Sequence, residues 1–269
     1  MSENIPVNLA VPGLDASLRM LVHGEQDQFV SQRIRQEGLW EPYESQLILG
    51  LLRPGDVFVD VGANIGYFSI LGASAVGSEG RVFAFEPDPD NFALLDANVA
   101  LNGFQQRVSS VHGGLADASG AGRLYLSENN LGDHQIYAGD GERESLGITL
   151  YHGSDFLQTK LSKIDLIKID TQGSETAVIA GLMPLMKQLP VAPTILIELT
   201  PFSLRCAGSS GRALIDLLAQ LDLRFWIVDH IEHRLAASSA EDLALWCDNV
   251  DAVAGDRGFM NILLSDLPQ

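Results

Sequence analysis

Between residues 57 and 92 the chain reads VFVDVGANIGYFSILGASAVGSEGRVFAFEPDPDNF. An apolar, β-branched run ends around Asp60, glycines follow at Gly62 and Gly66, and a second apolar run ends on Glu86. Gly62 lets the chain turn sharply and lets a ligand approach the backbone. Asn64 tolerates a positive φ better than most residues. A carboxylate at Glu86 can accept hydrogen bonds from both hydroxyls of a ribose. Further along, IDLIKID ends on Asp170, TILIEL carries Glu198 at its tip, and His134 stands beside Asp133 in NNLGDHQ. Acids at the tips of apolar strands suit proton transfer when burial raises their pKa, and a histidine titrates near neutrality. The set therefore offers recognition of a hydroxylated, cationic ligand at Asp60 and Glu86, and proton removal by His134, Asp170 or Glu198. The plainer readings are a loop cap for Asp60, a solvated strand end for Glu86, a solvated loop histidine for His134, and a cap before Thr200-Pro201 for Glu198.

Regular elements must hold these positions. Residues 57–61, 82–85 and 108–112 read as strands, and 67–75 and 91–101 as helices, the second stopped by Asn102-Gly103. Strands alternating with helices make βαβ units and a parallel sheet. Upstream, EPYESQLILGLL reads as a helix with Glu41 and Glu44 near its start, and Arg53-Pro54-Gly55 stops it. QDQFVSQRIRQEG has helical apolar spacing at Phe29, Val30 and Ile34, and DASLRMLVHG contains a strand. Residues 113–153 break the rhythm. Glycines and acids are dense there, strand candidates lie only at 123–126 and 147–151, and segments this long between elements are commonly functional or mobile. The rhythm resumes with IDLIKID as a strand, SETAVIAGL as a helix closed by Gly181, TILIEL as a strand, GRALIDLLAQL as a helix, and RFWIVD and GFMNILLS as strands.

Composition narrows the partners. The 269 residues carry 35 acids against 17 bases, a formal charge of -18, with no basic stripe. That disfavours nucleic acid, whose affinity comes mostly from phosphate neutralisation, and an anionic membrane surface likewise. Cys206 and Cys247 form no CxxC pair and read as reduced thiols of a cytoplasmic protein. The N-terminus shows no signal-peptide pattern, and no apolar run reaches the ~20 residues of a membrane-spanning helix. His230 and His233 lack a further clustered ligand, so no metal is expected.

Two nucleotide cofactors suit acids and glycines at successive strand tips: NAD and S-adenosylmethionine. A dinucleotide fingerprint is G-x-G-x-x-G, whose second glycine lets the backbone touch the pyrophosphate. Here that position is Asn64, and Asp60 would repel a pyrophosphate while welcoming an ammonium. The net-cationic S-adenosylmethionine is the better match.

The sequence resembles the FkbM family of S-adenosylmethionine-dependent methyltransferases. LWEPYE, PGDVFVDVGANIGYFSI, VFAFEPDPDNFALLDANVALNG, LSENNLGDHQI and IDLIKIDTQGSE carry the likeness, in family order over about half the chain. The family commonly reads valine-glutamate-glycine after KID; this chain has Thr171-Gln172-Gly173, so a charge is lost there. The resemblance implies a Rossmann-like class I methyltransferase fold over residues 39–269: seven mostly parallel strands, the last antiparallel, with helices on both faces. Residues 1–38 would be an extension acting as a lid or as a contact in a homodimer. It implies that Asp60, Gly62, Ala63, Asn64 and Gly66 hold the methionine end of the cofactor and Glu86 its ribose. Gly114 and Asp117 would meet the adenine, Asp170 would face the methyl side, and Tyr43 and Glu44 would close over the cofactor.

The activity implied is methyl transfer to a hydroxyl of a small molecule, a sugar or secondary metabolite. Alignment contributes most of the rate, and a base drawn from His134, Asp170 or Glu198 assists. N-methylation, which needs less of a base, and a non-catalytic cofactor-binding protein of the same fold are the alternatives.

Overall fold

The two runs that read as apolar on both faces, VFVDV and LIKI, lie side by side in the main sheet, every residue of both buried. A sheet covered by helices on both faces demands this, because neither side of such a strand meets water. A computed structural model of the chain describes residues 4–14, 16–138 and 143–267. In chain order its elements are β1 (Ile5–Asn8), β2 (Arg19–Val22), α1 (Val30–Glu37), α2 (Pro42–Leu51), β3 (Val57–Val61), α3 (Tyr67–Val76), β4 (Arg81–Glu86), α4 (Pro89–Leu101), β5 (Val108–His112), β6 (Gly114–Ala116), β7 (Gly120–Tyr125), β8 (Ser145–His152) and α5 (Gly153–Leu157). They continue with β9 (Leu166–Ile169), α6 (Glu175–Met186), β10 (Thr194–Leu199), α7 (Pro201–Cys206), α8 (Gly211–Leu218), β11 (Arg224–Asp229), β12 (Arg234–Ser238), α9 (Ala240–Ala252) and β13 (Met260–Ser265).

The main sheet has the order β12-β11-β13-β10-β9-β3-β4-β5. The stretch from β5 to β10 is parallel, and β13 runs antiparallel between β10 and β11. These seven strands are the Rossmann-like arrangement expected from the sequence. An eighth, the short edge strand β12, is an addition that the polar-interrupted RLAAS does not announce. From β3 the chain moves outward through β4 and β5, then returns to set β9 on the other flank of β3. Strand order reverses there, and the carboxyl ends of β3 and β9 open the crevice where ligands bind in such sheets.

Alternation along β3 assigns the two faces. Val57, Val59 and Val61 pack with residues of α6, α8 and α9, whereas Phe58 packs with residues of α1 to α4 and of β2. Asp60 shares the Phe58 parity and stands opposite Lys168 in register. The pair β1 and β2 is tied to α4 through Asn98, which accepts from the Leu21 N–H (2.6 Å) and donates to the Leu21 and Ile65 carbonyls (2.9 and 2.8 Å). Phe29, placed by its spacing on the apolar face of a helix, instead precedes α1 and is half exposed. The 113–153 segment supplies a second sheet, β6-β8-β7.

α6 runs to Met186, past the Gly181 that the sequence reading takes as its stop. Gly181 is there for proximity, since a Cβ would lie 2.0 Å from the Ala116 carbonyl oxygen at the end of β6. Pro184, inside the helix, has no N–H to donate. Ser154 mends the ladder beside it: its hydroxyl donates to the Gly181 carbonyl (2.6 Å) and accepts from the Leu185 N–H (2.9 Å). Ser154→Ala leaves both groups unpaired in a buried setting. Urea unfolding should show a loss of about 1–3 kcal/mol; an unchanged midpoint would mean that the two groups pair directly. Among the described residues no helix is long and apolar enough to cross a membrane.

Candidate functional site

The tip of β3 is shaped by its approach to β9. Gly62 has φ +82, and a Cβ on it would sit 1.9 Å from the Asp170 carbonyl oxygen, so only glycine lets the two tips meet. The N–H groups of Gly62 and Ala63 both donate to the Phe85 carbonyl (3.0 and 2.9 Å), binding the turn to β4. Asn64 takes the positive φ anticipated for it, +50. Gly66 opens α3 against Leu95, where a Cβ would have no room. Glu86 ends β4 with both oxygens engaged: Oε2 accepts from the Asn64 N–H (2.7 Å) and Oε1 from the Asp88 N–H (2.8 Å). Asp88 in turn caps α4.

Two cavities flank this turn. The first, about 230 Å³, is walled by Glu86, Gly114, Asp117 and His134, with the apolar side chains Ile148 and Leu150 of β8. The second, about 360 Å³, is walled by Trp40, Glu41, Phe68, Lys168, Glu198 and Thr200. Gly62, Asn64, Gly132, Asp170 and Gln172 belong to both, so a single elongated ligand can run from one into the other. The segment carrying Gly132 lies over the junction. Asn91 donates to its Leu131 carbonyl (2.9 Å), and the Asn129 carbonyl accepts from the Gln28 N–H (3.0 Å).

The second cavity has an unusual charge balance. Lys168 is buried, 3.1 Å from Asp170 Oδ2 and over the Phe68 ring at 4.6 Å. Burial works against its charge, but Asp170, Glu41, Glu44 and Asp60 surround it and hold it protonated, above the ordinary lysine range. Burial likewise pushes the Asp170 carboxyl up, yet Lys168 and the hydrogen bonds from Lys168, Glu198 and Gln172 outweigh it, and Asp170 sits below the usual aspartate value. Gln172, at φ +51, spans the two neighbouring acids: its amide donates to Asp170 Oδ1 (2.9 Å) and to Glu198 Oε2 (2.6 Å). Burial, then the charge on Asp170, drives the Glu198 carboxyl well above the ordinary glutamate range. Beneath, Glu175 fixes the turn by accepting from the N–H groups of Thr171 and Gly173 (3.1 Å each).

The residues singled out from the sequence separate in space. Gly62, Asn64, Glu86, Gly114, Asp117 and Asp170 line the first cavity, and Ala63, Asp170 and Glu198 the second. Asp60 lines neither. It lies buried beneath them, accepting from Ser69 (2.6 Å) through Oδ2 while Oδ1 has no hydrogen-bond partner. Gly66 shapes the start of α3 rather than a cavity wall. Tyr43 and Glu44 do not reach the cavities: Tyr43 stacks on His233 (5.4 Å), and Glu44 is buried on Asn261 and His230. The member of LWEPYE that does reach is Glu41, held at φ +42 in front of Pro42. His134 lines the first cavity and not the acid-rich second. Its Nδ1 accepts from the Ser127 N–H (3.0 Å), so a neutral ring carries its proton on Nε2, 3.8 Å from Asp88. Burial lowers its pKa in spite of Asp88 and Asp133. Glu41, Lys168 and Gln172 were not singled out from the sequence as site residues.

Glu86 makes the site pH-sensitive. Burial raises its carboxyl to about 8, against the downward pull of the Asp88 and Asn64 amides. A carboxyl that holds its proton more tightly folded than unfolded stabilises the fold fully below about pH 4.5, and that contribution disappears as pH rises through about 8. Between pH 5 and pH 8 the loss is about 3 kcal/mol. Urea titrations at the two pH values should show this loss in the ligand-free protein and a smaller one in Glu86→Gln. Equal losses would mean that Glu86 is ionised throughout.

Both cavities fit the cofactor expected from the sequence. The first combines apolar walls with one carboxylate, as a nucleoside requires. In the second, Glu41 Oε2 and Thr200 Oγ1 are buried without a hydrogen-bond partner, so polar groups of a charged ligand find unengaged oxygens there. Comparison with known proteins agrees. The family model described as Methyltransferase FkbM domain matches residues 60–225, more than half of the chain. The chain is 27% identical over 153 residues to methyltransferase sdnD of Sordaria araneosa, covering 46% of this chain and 59% of that protein. It is 28% identical over 175 residues to 2-O-methyltransferase NoeI of Sinorhizobium fredii, covering 56% and 70%. Over 73 residues it is 42% identical to 31-O-demethyl-FK506 methyltransferase FkbM of Streptomyces tacrolimicus, covering 27% of each. It thus spans less than two thirds of the length of two of these three relatives. With β3, β4 and β9 supplying the matched motifs and the crevice between them, the chain belongs to the FkbM family of methyltransferases, with S-adenosylmethionine as its cofactor.

Proposed function

We propose that the protein transfers a methyl group to a hydroxyl of a small molecule, with the cofactor's nucleoside in the first cavity, the acceptor in the second, and Glu198 as the base. When bound, S-adenosylmethionine supplies an electrophilic methyl group on a cationic sulfur. The observation that carries the reading is the Asp170–Gln172–Glu198 chain at the junction. Gln172 occupies one oxygen of Glu198 and fixes its orientation, leaving Oε1 to accept the proton of an acceptor hydroxyl. The raised pKa of Glu198 makes it a stronger base than an ordinary carboxylate. Asp170, paired with Lys168, stays a carboxylate and gives the junction a fixed negative charge.

The remaining roles follow from position. Glu86, oriented by two backbone amides, accepts from the ribose hydroxyls, and the backbone from Gly114 to Asp117 edges the base. Trp40, Tyr67 and Phe68 wall the second cavity and exclude water from the acceptor. Two of the relatives carry O-methylation in their names, which supports a hydroxyl acceptor. The test is incubation with methyl-labelled S-adenosylmethionine and a panel of hydroxylated and aminated small molecules. Label recovered as methyl ethers supports the reading, and label recovered only on amines contradicts it.

A further inference from the structure

Glu41 is the one acid of the second cavity that the proposed chemistry leaves without a task. It stands at φ +42, a conformation that costs a non-glycine residue energy and that persists where the surroundings impose it. Its Oε2 is wholly buried and accepts no hydrogen bond. The groups about it are Glu44 on α2, Tyr67 on α3, and Lys168 and Asp170 at the end of β9. Lys168 is already engaged by Asp170, and Glu44 can bond to Glu41 only through a shared proton. A buried carboxylate oxygen without a donor is costly, and a ligand cation removes the cost.

We infer that the Glu41 carboxylate binds the ammonium group of the cofactor's amino-acid tail. The inference rests on the cofactor placement proposed above, because a nucleoside in the first cavity sends its tail across Gly62 and Asn64 into the cavity that Glu41 walls. Burial, then the charge of Glu44, raises the Glu41 carboxyl well above the glutamate range, so in the empty site a proton stands where the ammonium would bind. Arrival of the cation displaces that proton.

Calorimetric titration with S-adenosylhomocysteine and with 5′-methylthioadenosine, which has the nucleoside but no amino-acid tail, tests this without an acceptor. Glu41→Gln should weaken S-adenosylhomocysteine at least tenfold and leave methylthioadenosine within twofold. Unchanged affinity for S-adenosylhomocysteine, or parallel weakening of both ligands, overturns the inference. If Glu41→Gln fails to fold, wild-type protein is titrated with the analogue of S-adenosylhomocysteine whose ammonium is replaced by a hydroxyl. Binding at least tenfold weaker than that of S-adenosylhomocysteine supports the inference, and equal affinity overturns it. Failure of wild-type protein to bind either adenosine ligand would instead sink the cofactor placement on which the inference stands.

Discussion

Glu198→Gln should lower the methyl-transfer rate by roughly 10²–10⁴-fold, the contribution typical of a positioned general base. The substitution keeps size and hydrogen-bonding capacity but removes the group that accepts the acceptor's proton. The pH profile separates this from a structural defect. In the wild type the rate should climb with pH along a limb above the ordinary glutamate range, because burial and Asp170 hold the Glu198 proton. In the variant that limb should vanish, while affinity for S-adenosylhomocysteine, measured by calorimetry, changes little. A full rate in Glu198→Gln would remove the base from the mechanism and favour an amine acceptor, which needs less help losing its proton. Persistence of the limb in a slowed variant would move the assignment to another group, His134 included.

Gly62→Ala should be worse for binding than any change to a single polar wall. The added Cβ falls 1.9 Å from the Asp170 carbonyl oxygen, and that oxygen belongs to the backbone and cannot swing aside. The alanine must also adopt φ +82. Either the β3 turn or the β9 tip has to withdraw, which opens the wall shared by both cavities. A stability loss above ~3 kcal/mol is expected from this overpacking and backbone strain. Affinity for S-adenosylhomocysteine should fall by more than about 100-fold, since the groups that grip the ligand are displaced together. Near-wild-type affinity would mean that the strand tips have slack and that the junction is not the structural centre of the site.

The readable parts of the chain were those where one physical cause acts locally. VFVDV, TILIEL and RFWIVD are apolar enough to sit in a helix-covered sheet, and their limits coincide with β3, β10 and β11. Gly62, Asn64 and Glu86 could be found because a sharp turn and a strand-tip acid leave marks in sequence. Gly181 shows where such marks mislead. A glycine demanded by a distant carbonyl looks the same as one that stops a helix, and Ser154 repairs the ladder from far along the chain. α9 had a signal that went unread: Ser239 three residues before Asp242, the spacing with which its side chain caps that helix. Lys168, alone and charged within IDLIKID, announces a buried ion pair. Which acids answer it depends on tertiary packing, and Glu41 is one of them only because the chain turns left-handed just before Pro42. Tyr43 and Glu44, its neighbours in LWEPYE, were the more conspicuous candidates, and helix packing carries them elsewhere.

The central claim is that one ligand spans both cavities across the Gly62–Asp170 junction. The most direct test is a crystal structure of the complex with S-adenosylhomocysteine. The account requires the ribose hydroxyls on Glu86, the adenine along Gly114 to Asp117, and the sulfur at the junction with the tail in the second cavity. Adenosine bound in the second cavity, or a ligand confined to one side of Gly62, would contradict it.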